Sequence, residues 1–167
     1  MIQNALTRYR RSPAPEPTLR LITFQLRHNS FCLPLALARR VVFQPAEASS
    51  APLGLTQLNQ ENIPTVDIAR WVYQNTPLLP GHNPAEPAAH SSPATDQTIV
   101  VVDSARAGPV GLLVDSIPTL RRAKASAFSP VPATYLILNH LQGINTLVTL
   151  GPDEAPLFLL DLDTLLP

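Results

Sequence analysis

Charged residues are scarce in this 167-residue sequence. They make up 14% of the chain, compared with roughly 25% in a typical soluble domain. Twelve Lys and Arg balance twelve Asp and Glu, so the chain lacks the net positive charge that proteins use to bind nucleic acid. We therefore expect no nucleic-acid partner, and an outer surface with enough uncharged side chains to contact another protein.

Cysteine and long hydrophobic runs are also nearly absent. Cys32 is the single cysteine, so no disulfide can form within the chain, as is usual for proteins of the reducing cytoplasm. No run approaches the ~18 consecutive apolar residues of a membrane-spanning helix, and the arginines near the N-terminus are not followed by an apolar signal-peptide core. These absences predict a cytoplasmic protein without direct membrane insertion.

The sequence carries no recognisable catalytic motif. Its six glycines are too scattered to form a P-loop or a G-x-G-x-x-G turn, and no serine or cysteine lies in a known nucleophile setting. His82 and His90 lie eight residues apart in a proline-rich stretch without cysteines, which does not suit a metal site. We therefore expect no catalytic residues, no metal and no cofactor, and a protein that is not an enzyme.

Short apolar runs separated by turn residues dominate what the sequence does contain. Leu19 to Leu26 alternates apolar and polar residues, and Phe31 to Leu35 returns after a turn at His28-Asn29-Ser30, so the two segments predict a hairpin. The Ala-rich sequence from Leu35 to Arg40 suits one short helical turn. This turn is expected to precede the apolar run Val41 to Phe43.

Three further segments complete this pattern. A short strand is predicted from Ile63 to Ile68, followed by helix from Ala69 to Tyr73. Two more hairpins are predicted, and their strands are Thr98 to Asp103 with Val110 to Ile117, and Asn145 to Leu150 with Leu157 to Leu160. Because no long helical pattern separates the strands, the sequence predicts an all-β barrel or sandwich rather than a βαβ fold.

Proline-rich segments mark the parts of the chain that we expect to lack regular structure. Residues 1–18 are predicted to be a disordered N-terminal tail, and residues 74–97 a flexible Pro/Ala-rich loop. One domain is then expected over residues 19–167. Within it, the isolated carboxylates Asp67, Asp115 and Asp161 are expected to accept local hydrogen bonds rather than to act in catalysis, and Trp71 is expected in the core.

Three ordered segments resemble a known family. Residues 54–68, GLTQLNQENIPTVDI, align without a gap with the pattern G-V-I-N-L-R-G-x-I-L-P-V-V-D-L. Residues 110–117, VGLLVDSI, are similar to V-G-I-V-V-D-x-V, and residues 157–166 run from an apolar strand into D-x-x-x-L-L. This order and spacing resemble the CheW-like family over Leu19 to Leu166.

The resemblance implies a fold and a function. It implies two small five-stranded SH3-like β-barrels packed together, with short helices at a connection and at the C-terminus. It also implies a non-enzymatic scaffold that couples chemoreceptors, the methyl-accepting proteins, to a CheA-type histidine kinase in a bacterial chemosensory or motility pathway. The expected partners are therefore a CheA-like kinase, a chemoreceptor, or both.

The chain departs from the family pattern at the positions expected to contact partners. Asn59 and Gln60 replace the arginine and glycine of the family turn, and Arg40 stands where a glutamate is usual. An inverted charge repels a partner that expects an acid, so we expect altered partner specificity. The expected partner-binding residues are Leu37, Ala38, Arg39, Arg40, Leu58, Asn59, Gln60 and Ile63.

Three alternatives remain open at this stage. Arg39 and Arg40 suit a solvated face as well as a contact with an acidic partner. The same fold also suits an adaptor for a polar or pilus-associated protein outside the kinase array. Low charge and high aliphatic content further suit a small β-barrel that binds an apolar ligand.

Overall fold

The computed structural model describes residues 14–44, 53–58, 61–73 and 97–166, and these ranges fold mainly into β-structure. Their strands are β1 Thr18–Leu26, β2 Asn29–Pro34, β3 Ala38–Gln44, β4 Leu53–Leu58, β5 Glu61–Asp67, β6 Gln97–Ser104, β7 Gly108–Val114, β8 Thr119–Lys124, β9 Phe128–Pro130, β10 Ile144–Val148 and β11 Leu157–Leu160. The helices are short: α1 Ile68–Val72, α2 Ala133–Asn139 and α3 Leu162–Leu165, with 3-10 turns at Leu35–Leu37 and Ala125–Ala127.

The strands form two sheets that take their strands from different parts of the chain. The first sheet has six strands in the order β8-β1-β2-β11-β10-β9, and the second has five in the order β3-β6-β7-β5-β4. The second sheet is therefore built from consecutive strands, whereas the first joins strands from both ends of the domain. This arrangement confirms the expected all-β fold and is consistent with two SH3-like barrels.

The main hydrophobic core lies between the sheets. Ile22, Phe24 and Leu33 of the first sheet belong to the same buried cluster as Val100 and Leu112 of the second. A smaller cluster around Leu21, Cys32, Val148 and Leu157 fills the opposite face of the first sheet. Both faces of β1 are consequently buried near its centre, which explains why its apolar and polar residues alternate imperfectly there.

The structure corrects several sequence expectations. Ala38–Arg40 belong to β3, so the helical turn is confined to Leu35–Leu37, and the run predicted as strand to Ile117 ends at Val114. Strands β4, β8 and β9 and helix α2 were not predicted. In β8, every side chain except that of Ala123 is exposed, so neither alternation nor an apolar run marks it as a strand.

The predicted tail is held to the domain at its last residues. The Pro17 carbonyl accepts a hydrogen bond from the Ala125 amide at 3.0 Å, and the Glu16 carboxylate accepts one from the Ser126 amide at 2.6 Å. Hydrogen bonding with the Ser126 side chain, together with the bond from the Ser126 amide, lowers the pKa of Glu16. Residues 1–13 and 74–96 lie outside the described residues, so the expected tail disorder and loop flexibility remain predictions there.

Gly143 occupies a position that no other residue fits without strain. Its φ is +65°, and an added Cβ would overlap the buried side chain of Leu165. Gly108 has a similar φ of +72° but open space around its Cβ position. A comparison of alanine substitutions at the two glycines therefore separates the energetic cost of the backbone conformation from the cost of steric overlap.

We expect Gly143→Ala to lower the free energy of unfolding by about 3 kcal/mol and Gly108→Ala by about 1 kcal/mol, because only the first adds overpacking to a left-handed backbone. Urea denaturation of both variants measures the difference. Equal losses would show that Leu165 moves aside at little cost.

Cys32 is fully buried, and burial raises the pKa of its thiol from the ordinary value of 9.0 to about 12. The folded state favours the neutral thiol, so this contribution to stability is complete below about pH 9 and is lost as the pH rises toward about 12. We expect the wild-type free energy of unfolding to fall across this range more steeply than that of Cys32→Ala, by at most ~1.4 kcal/mol per pH unit. Parallel slopes in urea titrations would contradict the expectation.

Candidate partner-docking surface

The expected docking residues begin where the chain crosses between the sheets. Pro34 ends β2 with φ −56°, and the 3-10 turn at Leu35–Leu37 leads directly into β3. Leu37 and Ala38 are partly buried and pack against the core between the sheets. Their position is therefore set by the same packing that joins the two sheets.

A β-bulge at Arg39 separates its side chain from that of Arg40. Ala38 pairs with Val102 while Arg40 pairs with Val101, so Arg39 is an extra residue in β3. Its Nε donates a hydrogen bond to the Asp103 Oδ2 at 2.6 Å, and this carboxylate raises the pKa of Arg39. Arg39 is thus held along β6 by an ion pair.

Arg40 is exposed, and it forms no ion pair with any residue in the part of the chain that the structure describes. It follows the bulge on a strand whose other side has no partner strand among the described ones. Phe43, three residues further along β3, is also open, since it is 55% exposed. Arg40 is therefore available for an intermolecular contact, whereas Arg39 already has an acidic partner.

The remaining expected docking residues have different positions. Leu58 ends β4, and its side chain lies outside the described part together with Asn59 and Gln60. Ile63 is only 5% exposed and packs against Ile99 and Val101 inside the second sheet. Because its side chain presents no surface to a partner, we remove Ile63 from the proposed contact set.

A cavity of about 290 Å³ lies where the two sheets and α3 meet. Two of its three carboxylates already have structural roles, since Asp103 pairs with Arg39 and Asp161 accepts from the Thr164 hydroxyl at 2.8 Å. The other lining residues are Pro34, Leu37, Ser104, Ala105, Asn145, Leu159, Leu160, Leu162 and Asp163. This mixed lining does not favour the apolar-ligand alternative.

Asp67 and Asp161 accept local hydrogen bonds, as expected from the sequence, whereas Asp115 accepts from a residue distant in the chain. Asp67 begins α1 and pairs with Arg70 at 3.1 Å, and Asp161 begins α3 by accepting from the Asp163 and Thr164 amides. Asp115 accepts from the Arg27 amide at 2.5 Å, which joins the β1–β2 turn to the end of β7. Each of these carboxylates therefore has a structural partner.

No group of three or more His, Cys, Asp or Glu within the described ranges could hold a metal ion.

Trp71 is half-buried and packs against the main core, in line with its expected place. None of the helices in the same ranges is long and apolar enough to span a membrane.

These features define a class of protein: a two-sheet β domain with an exposed edge strand beside the junction of the sheets. A CheW-like domain model matches residues 20–167. Because that match covers most of the chain, the protein belongs to the CheW-like family.

Two further comparisons bear on this assignment. A solved structure, the scaffolding protein TtCheW from Thermoanaerobacter tengcongensis, superposes with a TM-score of 0.58 over 86% of this chain and 89% of that chain, at 13% sequence identity. At this identity the likeness supports the fold alone. A search of curated proteins gives no match.

Sequence reasoning missed the exposed face of β8. Arg121, Arg122 and Lys124 lie within four residues, and this local charge density was the available signal. The sequence does not show that these cations share a surface, because no apolar pattern marks β8 as a strand.

We expect Asp161→Ala to lower the free energy of unfolding by about 1 kcal/mol, because it removes the side-chain acceptor that begins α3. The matched control is Asp163→Ala in the same helix, whose carboxylate is exposed. Thermal unfolding of both variants compares them. Equal effects would mean that the hydrogen bonds of Asp161 add nothing beyond its charge.

Proposed function

We propose that this chain is a scaffold that couples a chemoreceptor to a CheA-type histidine kinase. The observation that carries the proposal is the CheW-like match over residues 20–167, which coincides with the folded domain. The function requires only docking, and the carboxylates of Asp67, Asp103 and Asp161 are engaged in ion pairs or helix capping.

The partner specificity is proposed to depend on Arg40. The ion pair with Asp103 neutralises Arg39, so Arg40 contributes the uncompensated charge on β3. A cation at this point attracts an acidic group on a partner and repels a basic one. The scaffold is therefore proposed to select a receptor or kinase whose contact residue is acidic.

We expect affinity capture with the tagged chain from its source cell to recover a CheA-like kinase or a methyl-accepting receptor. Arg40→Glu should reduce this recovery about tenfold, because it places like charges together at the contact. Quantitative mass spectrometry of the captured proteins measures both results.

The matched control is Arg106→Glu, which makes the same change at an exposed arginine in the turn between β6 and β7. It should leave recovery unchanged. Recovery of neither a kinase nor a receptor by the wild-type chain would contradict the proposed function, and equal losses in both variants would contradict the role of Arg40.

A second function is favoured by the exposed charge of Arg40, namely an adaptor for a polar or pilus-associated protein outside the kinase array. In that case the family-like double variant Arg40→Glu with Asn59→Arg should gain kinase binding that the wild-type chain lacks. Binding of a purified CheA-type kinase to the two proteins separates the functions.

A further inference from the structure

The face of β1 and β8 that leads into the main core carries a group of cations beyond the edge of that core. In this antiparallel pair Leu120 lies opposite Ile22 and Arg122 lies opposite Arg20, so all four side chains share one face of the sheet. Lys124 continues this face two residues further along β8. Ile22 is buried, whereas the other four are exposed, and we call them the cationic face.

The central arginines of this face repel each other. Arg20 and Arg122 are directly opposite across the strand pair, an arrangement that destabilises a sheet when the charges are alike. Neither forms an ion pair with any residue in the described ranges. Glu16 lies close enough to Lys124 to interact with it, but its carboxylate accepts from the Ser126 amide.

The cationic face borders the junction between the sheets. Ile22 and Phe24, further along the same face of β1, enter the core shared by both sheets. The 3-10 turn that leads into β3 contacts β1, and Arg40 follows that turn by three residues. The cations of β1 and β8 therefore approach the same junction as the exposed arginine of β3.

We propose that the cationic face docks an acidic helical segment of a protein partner, with carboxylates at Arg20 and Arg122 and an apolar side chain at Leu120. This inference rests on the proposed scaffold function and names the chemistry of the partner's contact segment. A carboxylate of the bound partner would lie near both arginines and offset the repulsion between them. This attraction is absent from the unbound domain and would favour binding.

The geometry suits a helix. Leu120, Arg122 and Lys124 alternate along one strand, so successive members are about 6.7 Å apart. Residues four apart on a helix have a similar spacing of about 6 Å. A helix with one leucine followed by glutamates at four-residue intervals therefore matches Leu120, which is 61% exposed, and the cations beyond it.

Two synthetic helical peptides of equal length test the inference with the full chain. One carries leucine and then glutamate at four-residue intervals, and the other carries glutamine in place of glutamate. Fluorescence anisotropy should show about tenfold tighter binding of the glutamate peptide at low salt, and this advantage should shrink at high salt. Arg20→Glu and Arg122→Glu should each remove most of the advantage.

Arg106→Glu is the matched control, since it reverses an exposed arginine on the other sheet. It should leave the binding of both peptides unchanged. Thermal unfolding supplies an independent readout, because Arg122→Glu replaces a repulsion across the strand pair with an attraction to Arg20. We expect its melting temperature to rise by about 2 °C while its peptide affinity falls.

Four results would overturn the inference. The first two are equal binding of the two peptides, and a loss of binding in Arg106→Glu as large as that in Arg122→Glu. The third is tighter binding to phosphatidylserine vesicles than to the glutamate peptide. The fourth is self-association of the chain, measured by sedimentation, that Arg122→Glu abolishes. The last two would assign the face to a lipid surface or to a second copy of the chain.

Capture of the kinase or receptor separates this inference from the proposed function. If capture is unchanged by Arg122→Glu, the cationic face is not the contact, although the scaffold function stands. If the glutamate peptide binds as expected while neither kinase nor receptor is captured, the scaffold function fails and the acidic-helix site stands.

Discussion

The packing of the β1–β2 hairpin of the first sheet against the second sheet is the constraint on which the rest of this structure depends. Ile22, Phe24, Phe31 and Leu33 of this hairpin are all buried in the core shared by both sheets. Burying each such side chain contributes on the order of 2 kcal/mol. Because the second sheet is inserted after β2, the same contacts determine where β3 begins and where its arginines lie.

The proposed docking surface is a consequence of the chain crossing from the first sheet to the second. The chain needs a short connection between the sheets, and the 3-10 turn after Pro34 supplies it. The bulge that follows assigns Arg39 to an ion pair within the domain and leaves Arg40 exposed. The neighbouring residues Arg39 and Arg40 consequently have different surroundings. The geometry of the strand causes this difference, because the residue type is the same at both positions.

Charge is separated over the surface although the chain as a whole is neutral. The described carboxylates mostly begin helices or pair with nearby arginines, as Asp67, Asp103 and Asp161 do. Arg20, Arg40 and Arg122 have no such compensation in the described part of the chain. A neutral protein can therefore present a locally positive surface near the junction of its sheets.

The sequence by itself determined the elements that depend on neighbouring residues. The alternation in β1, the β-branched run of β6 and the capping carboxylate Asp161 all act within a few residues, so they could be predicted. The order of three motifs also indicated the family. Only the tertiary structure decided that Ile63 is interior, that Arg39 meets Asp103 and that Arg20 lies opposite Arg122. Each of these facts joins residues far apart in the chain, and such pairings follow from the packing and register of the sheets, which local sequence patterns do not specify.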